Sequence, residues 1–148
     1  MTKILFICHG NICRSPMAEF VFKKLAAEAG RRDDFLIESA ATSREEIGND
    51  VYPPAQRCLR AHGVPFTHRR ARQVTDADYD EYDLLVIMEE YNRRNLRGLL
   101  REDPEGKVRT LLSFAGSDRD VADPWYTNDF ETAYADILEG CTALLEQL

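Results

Sequence analysis

Two hydrophobic rhythms alternate along this chain. Ile4-Leu5-Phe6-Ile7 is an unbroken apolar run, which predicts a strand buried on both faces. Pro16 then stands where the first turn of a helix tolerates proline. Met17, Val21 and Leu25 follow at i+4 steps with Glu28 beyond, and Gly30 supplies a stop. Phe35 to Ala40 reads as a second strand. Pro53 and Pro54 precede a helix that runs through Arg57 and Leu59 and ends at Gly63. Leu84 to Met88 is the clearest buried strand after the first, and Val108 to Leu112 predicts a fourth. The last segment has the strongest helical period. Phe130, Ala133, Tyr134, Ile137, Leu138, Cys141, Leu144, Leu145 and Leu148 form one apolar stripe, with Asn128 and Glu131 marking its start.

Strands that alternate with helices predict one α/β domain built on a parallel sheet. Ligands of such sheets bind beyond the carboxyl ends of the strands, and the first strand-to-helix turn is a favoured place. Cys8 lies in that turn.

Composition narrows the picture. A chain of 148 residues fits one domain with its own core. The N-terminal apolar run is too short for a signal-peptide core or a membrane span. The four cysteines (8, 13, 58 and 141) show no CxxC pair and the three histidines no HxxxH pattern, so no metal site is expected. Without an export signal the protein is expected in the cytoplasm, with its thiols reduced. Nineteen basic against 26 acidic residues give 19 − 26 = −7. This charge disfavours nucleic acid and anionic membrane as partners, so an anionic ligand must be attracted by local groups.

Those local groups are present between Cys8 and Ser15. A phosphate monoester carries close to two negative charges. The N–H groups of a tight loop and the positive end of a helix can surround them. Gly10 is expected to permit the turn, and Asn11 to tolerate left-handed dihedrals while its amide pins neighbouring backbone. Arg14 offers a planar fork that matches two phosphate oxygens. The same positive surroundings favour the thiolate of Cys8, and Ser15 can donate a hydrogen bond to it. The combination is that of a nucleophile placed beneath a bound phosphorus. A bare Cys-x5-Arg spacing is common by chance. Its place after a buried strand and before a helix gives it weight.

The stretch Cys8-His9-Gly10-Asn11-Ile12-Cys13-Arg14-Ser15-Pro16-Met17-Ala18-Glu19 resembles the signature of the low-molecular-weight protein tyrosine phosphatases. The similarity continues through Glu38 to Ser43, Ala71-Arg72-Gln73, Asp83 to Met88 and Asp123-Pro124-Trp125-Tyr126, so it spans residues 1–148 as one domain. It implies a flavodoxin-like fold: a four-stranded parallel sheet with helices on both faces. It also implies a hydrolase that cleaves phosphotyrosine in a protein or peptide through a phosphocysteine, releases inorganic phosphate and needs no cofactor. By the same resemblance Cys8 is the nucleophile, Arg14 the phosphate clamp and Asp123 the general acid. His9, Gly10, Asn11, Ile12, Cys13 and Ser15 surround the phosphate, and Trp125 and Tyr126 line the mouth. Cys13 would form a protective disulfide with an oxidised Cys8.

Three departures stand out. Glu45 lies near the place where the wall opposite the Asp-Pro loop commonly carries tryptophan. His68 or Arg69 fills the place of a histidine that supports the loop asparagine. Glu89 replaces an aspartate. Arsenate reductases that share the nucleophile need a pair of mid-chain resolving cysteines, which this chain lacks between Cys58 and Cys141. Arginine phosphatases carry threonine where Ile12 stands, and cysteine-phosphorylated carriers lack the loop arginine and the Asp-Pro acid. Hydrolysis of phosphotyrosine is the function expected.

Overall fold

The run Ile4 to Ile7 has no polar side chain, and in the computed structural model, which describes residues 1–148, all four residues are fully buried. They form the centre of strand β1 (Thr2–Cys8). On one side β1 pairs with β2 (Phe35–Ala41), and on the other with β3 (Leu84–Ile87), which pairs in turn with β4 (Val108–Thr110). All pairings are parallel and the order is β2-β1-β3-β4. The chain therefore steps outward from β1 to β2 and returns past β1 to reach β3. The reversal lies at the carboxyl end of β1, where α/β sheets open a crevice. Cys8 is its last residue, paired in register with Ala41.

Side chains alternate across the sheet and build two cores. Ile4 and Phe6 face α1 (Arg14–Glu28), α2 (Pro53–Ala61) and α6 (Phe130–Gln147), in a core shared with Phe22, Ile37, Leu59, Ile137 and Leu144. Leu5 and Ile7 face α3 (Asp76–Glu81) and α4 (Glu90–Leu96), packing with Tyr79, Tyr82, Leu85 and Leu96. The expected four-stranded parallel sheet with helices on both faces is what the chain forms. No helix is long and apolar enough to cross a membrane.

Several boundaries differ from the sequence expectation. The fourth strand stops at Thr110 rather than Leu112. Leu111–Ala115 tightens into a 3-10 turn that presses Leu111 onto α6, where a Cβ on Gly140 would lie 2.4 Å from Leu111 Cγ. The start of α6 is capped by Asp129, whose carboxylate accepts from the Thr132 N–H, and not by Asn128. Asn128 instead adopts a left-handed φ of 58° and ends a short helix, α5 (Pro124–Thr127). Helices α3, α4 and α5 were not predicted. Cys58 and Cys141 are buried. Burial pushes the Cys58 thiol up to about 11, with Glu131 adding to it, and raises Cys141 as well.

Candidate active site

Strand β1 delivers Cys8 to the floor of a cleft of about 600 Å³, and α1 begins at Arg14, six residues later. The intervening loop holds its shape by turning its carbonyls outward. Those of Cys8 and His9 accept from the N–H groups of Thr42 and Ser43, and that of Ile12 accepts from Tyr52, at 2.9 to 3.0 Å. The Asn11 carbonyl accepts from the guanidinium of Arg69. In contrast, the N–H groups of Gly10, Ile12, Cys13, Arg14 and Ser15 have no protein acceptor. Helix α1 also lacks a side-chain cap and has no acidic residue in its first turn. These orphan donors and the helix dipole make an anion site around the sulfur.

The left-handed turn falls on Asn11, at φ 60°, and not on Gly10. Gly10 has negative φ, and its role as the conformationally permissive residue is therefore corrected. A Cβ there would lie 3.4 Å from the Glu46 side chain, at the edge of ordinary contact. Asn11 is 1% exposed, and its fixed amide orders the proton positions. Its Oδ1 accepts from the Arg72 N–H at 3.3 Å, so its Nδ2 is the end that donates to Ser15 Oγ, at 2.8 Å. The Ser15 hydroxyl hydrogen is then left for Cys8 Sγ, 3.0 Å away, and the Asn11 N–H points to the same sulfur from 3.2 Å. Two donors thus converge on the sulfur. Cys13 differs. Burial, followed by the charge of Cys8, pushes its thiol well above the ordinary range.

Arg14 is 3% exposed and held from three directions. Its Nη1 donates to the Val121 carbonyl at 3.2 Å, and its Nη2 to Glu89 Oε1 at 3.1 Å and Asp123 Oδ2 at 3.3 Å. Burial works against its charge. The Glu89 hydrogen bond and the charges of Cys8, Glu89 and Asp123 outweigh it, so the guanidinium is held more firmly protonated than usual. Asp123 is also the cap of α5, its Oδ1 accepting from the Trp125 N–H at 3.0 Å. One oxygen fixes the carboxyl in place while the other faces the arginine.

The predicted residues come together. Cys8, His9, Gly10, Ile12, Cys13, Arg14, Asp123, Trp125 and Tyr126 all border the cleft, with Asn11 and Ser15 beneath it. Trp125 is half exposed and packs on Tyr52 at 5.1 Å between ring centres. Glu45 stands at the mouth, where its carboxylate meets His9 Nε2 at 3.0 Å. Beside the loop, Arg69 reaches Asn11, whereas His68 pairs with Asp50 at 2.5 Å. Sequence reasoning assigned no site role to Glu46, Tyr91 or Tyr52, which border or support the cleft. No motif or spacing marks them, because separate segments of the chain bring them in.

The sequence profile of "Low molecular weight phosphotyrosine protein phosphatase" matches residues 3–148. The chain belongs to this family.

The human "Low molecular weight phosphotyrosine protein phosphatase" is 39% identical over 149 residues, covering 97% of this chain and 94% of its own. The crystal structure of YfkJ from Bacillus subtilis superposes with a TM-score of 0.94 at 38% identity, covering 99% and 94% of the two chains. The drosophila arginine phosphatase DARP superposes with a TM-score of 0.88 at 29% identity, covering 99% and 97%. Family membership makes this chain a hydrolase of the protein-tyrosine-phosphatase type.

Proposed function

We propose that residues 1–148 form one phosphotyrosine phosphatase domain in which Cys8 is the nucleophile, Arg14 the phosphoryl clamp and Asp123 the general acid. The observation that carries this reading is that Cys8, Arg14, Asp123 and a set of free loop amides border one cleft. The three non-bridging oxygens of an aryl phosphate lie against the N–H groups of residues 10 and 12–15 and the Arg14 fork. Sγ attacks phosphorus as the phosphorus–phenolic oxygen bond breaks, and the Asp123 carboxyl gives its proton to the leaving oxygen. The resulting carboxylate then takes a proton from water. The water oxygen displaces Sγ from phosphorus, which frees inorganic phosphate and regenerates the thiolate. Negative charge developing in both steps meets fixed donors that need no reorganisation.

Phosphotyrosine suits this cleft because its aryl ring can lie against the aromatic faces that Trp125, Tyr126 and Tyr91 offer in the lining. Ile12, 7% exposed on the wall, gives apolar bulk beside that ring. Cys13 supplies a second chemistry. If Cys8 is oxidised to a sulfenic acid, the Cys13 sulfur displaces its hydroxyl as water and closes a disulfide that thiols reverse. A cytoplasmic setting, where such thiols are kept reduced, fits both roles.

The test compares a phosphotyrosine and a phosphoarginine peptide in the presence of chelator. Turnover of the phosphotyrosine peptide, with loss of all turnover in Cys8→Ser, is expected. Preference for phosphoarginine would overturn the substrate assignment, and activity in Cys8→Ser would overturn the mechanism.

A further inference from the structure

A second convergence of ligating side chains lies at the junction of α2 and α6. Cys58 and His62 are four residues apart, one turn along the same helix face. His62 stands at the C-cap, and Gly63 at φ 67° ends the helix there. Glu131 enters from the first turn of α6, which the Asp129 cap fixes. Cys58 Sγ lies 3.7 Å from Glu131 Oε1, and His62 Nε2 lies 2.6 Å from Glu131 Oε2. All three ligand atoms fall within 4.8 Å of one another. The His62 ring stacks on Tyr134 with centres 3.8 Å apart and planes 9° from parallel, which holds its orientation.

An ion pair accounts for His62 and Glu131. It does not account for the buried thiol, whose sulfur lies 3.7 Å from both the Phe130 carbonyl and the same carboxylate. Sulfur, imidazole nitrogen and carboxylate oxygen together are a donor set for zinc-type ions, with bonds of about 2.3, 2.1 and 2.1 Å. Ligand atoms around a tetrahedral ion of that size lie roughly 3.5 Å apart. The Cys58–Glu131 separation already matches, and the His62–Glu131 contact must open by about 1 Å on that geometry. Glu131 is exposed and has room to move. We propose that the α2–α6 junction is a binding site for a zinc-type divalent cation, held by Cys58 Sγ, His62 Nε2 and the Glu131 carboxylate, with solvent at the fourth position. Binding releases the Cys58 thiol proton to solvent as the sulfur–metal bond forms. The ion would tie the end of α2 to the start of α6, which follows α5 and the Asp123 loop by two residues. Paired cysteine or histidine spacing does not mark these residues. This set joins one helix to a residue 69 positions beyond His62.

The test titrates the full chain carrying Cys8→Ser and Cys13→Ser with Co²⁺. Only Cys58 and the fully buried Cys141 then remain as thiols. One equivalent is expected to bind at micromolar concentration, with thiolate-to-cobalt charge transfer in the near ultraviolet and displacement by Zn²⁺. Adding Cys58→Ser should abolish the charge-transfer band, and adding His62→Gln or Glu131→Gln should weaken binding at least about tenfold. Glu131→Gln changes an exposed side chain and keeps the fold, which circular dichroism checks. A band that survives Cys58→Ser, unchanged affinity in folded Glu131→Gln, or no stoichiometric binding would overturn the proposal and leave an ion pair beside a packed thiol.

Discussion

Asp123 Oδ2 sits 3.3 Å from Arg14 Nη2, while Asp123 Oδ1 accepts the N–H of Trp125 two residues on. Asp123 is thereby tied to Arg14 at one oxygen and to the aromatic wall at the other. Asp123→Ala is expected to lower kcat for phenolic phosphates by about 10²-fold or more, the usual contribution of a placed general acid. Esters whose leaving group needs no proton should slow much less. Steady-state rates across a series of aryl phosphates check this, and equal slowing across the series would remove Asp123 as the acid.

Arg69 and His68 are neighbours with unequal duties. Arg69 holds the carbonyl of buried Asn11, whereas His68 forms a surface pair with Asp50. Arg69→Ala leaves that carbonyl without its partner and is expected to cost about 1–3 kcal/mol of stability. It should also lower activity, since Asn11 positions Ser15 beneath the sulfur. His68→Ala is expected to stay within about 0.5 kcal/mol of the parent, as exposed pairs usually do. Urea unfolding of the two variants, with kcat measured in parallel, makes the comparison.

The cleft is bordered by Glu45 and Glu46 as well as by Trp125 and Tyr126. A phosphopeptide with acidic neighbours must bring like charge to these carboxylates, while one with lysine or arginine neighbours meets complementary charge. Basic-flanked phosphotyrosine peptides are expected to show kcat/KM several-fold higher, roughly the 1 kcal/mol of one screened charge pair. Glu45→Gln should shrink the gap, and so should high salt. The check is kcat/KM for paired peptides at two ionic strengths, with a small aryl phosphate as the insensitive control.

Gly140 sits in α6 where Leu111 leaves no space for a side chain, because a Cβ would lie 2.4 Å from Leu111 Cγ. Gly140→Ala gains helix propensity, yet it is expected to lower stability by about 1–3 kcal/mol through overpacking. Leu111→Ala in the same chain should recover part of the alanine clash, although it opens a cavity of its own. A urea double-mutant cycle reads the coupling between the two sites.

The sequence carried the sheet, because Ile4–Ile7 and Leu84–Ile87 are apolar throughout and only burial on both faces suits them. It also carried the loop chemistry, since Cys8, Asn11, Arg14 and Ser15 are contiguous and their roles follow from side-chain type. Helices α3 and α4 escaped notice because they are short and mostly polar. Each bears only a capping box, Thr75 with Asp78 and Glu89 with Asn92, as its signal. The fourth strand was overextended because Leu111 and Leu112 are as apolar as a strand, although they turn to reach α6. The choice between His68 and Arg69 depended on a one-residue register that only three-dimensional placement resolves. Tyr52 and Tyr91 were missed because packing between distant segments makes them part of the cleft.

The central claim is covalent catalysis by Cys8, and the direct measurement is acid quench of the enzyme during turnover of an aryl phosphate, followed by mass spectrometry of its peptides. One phosphoryl group per chain is expected, on the peptide carrying Cys8, and none in Cys8→Ser. A phosphoryl group on any other residue, or full turnover by Cys8→Ser, would contradict it.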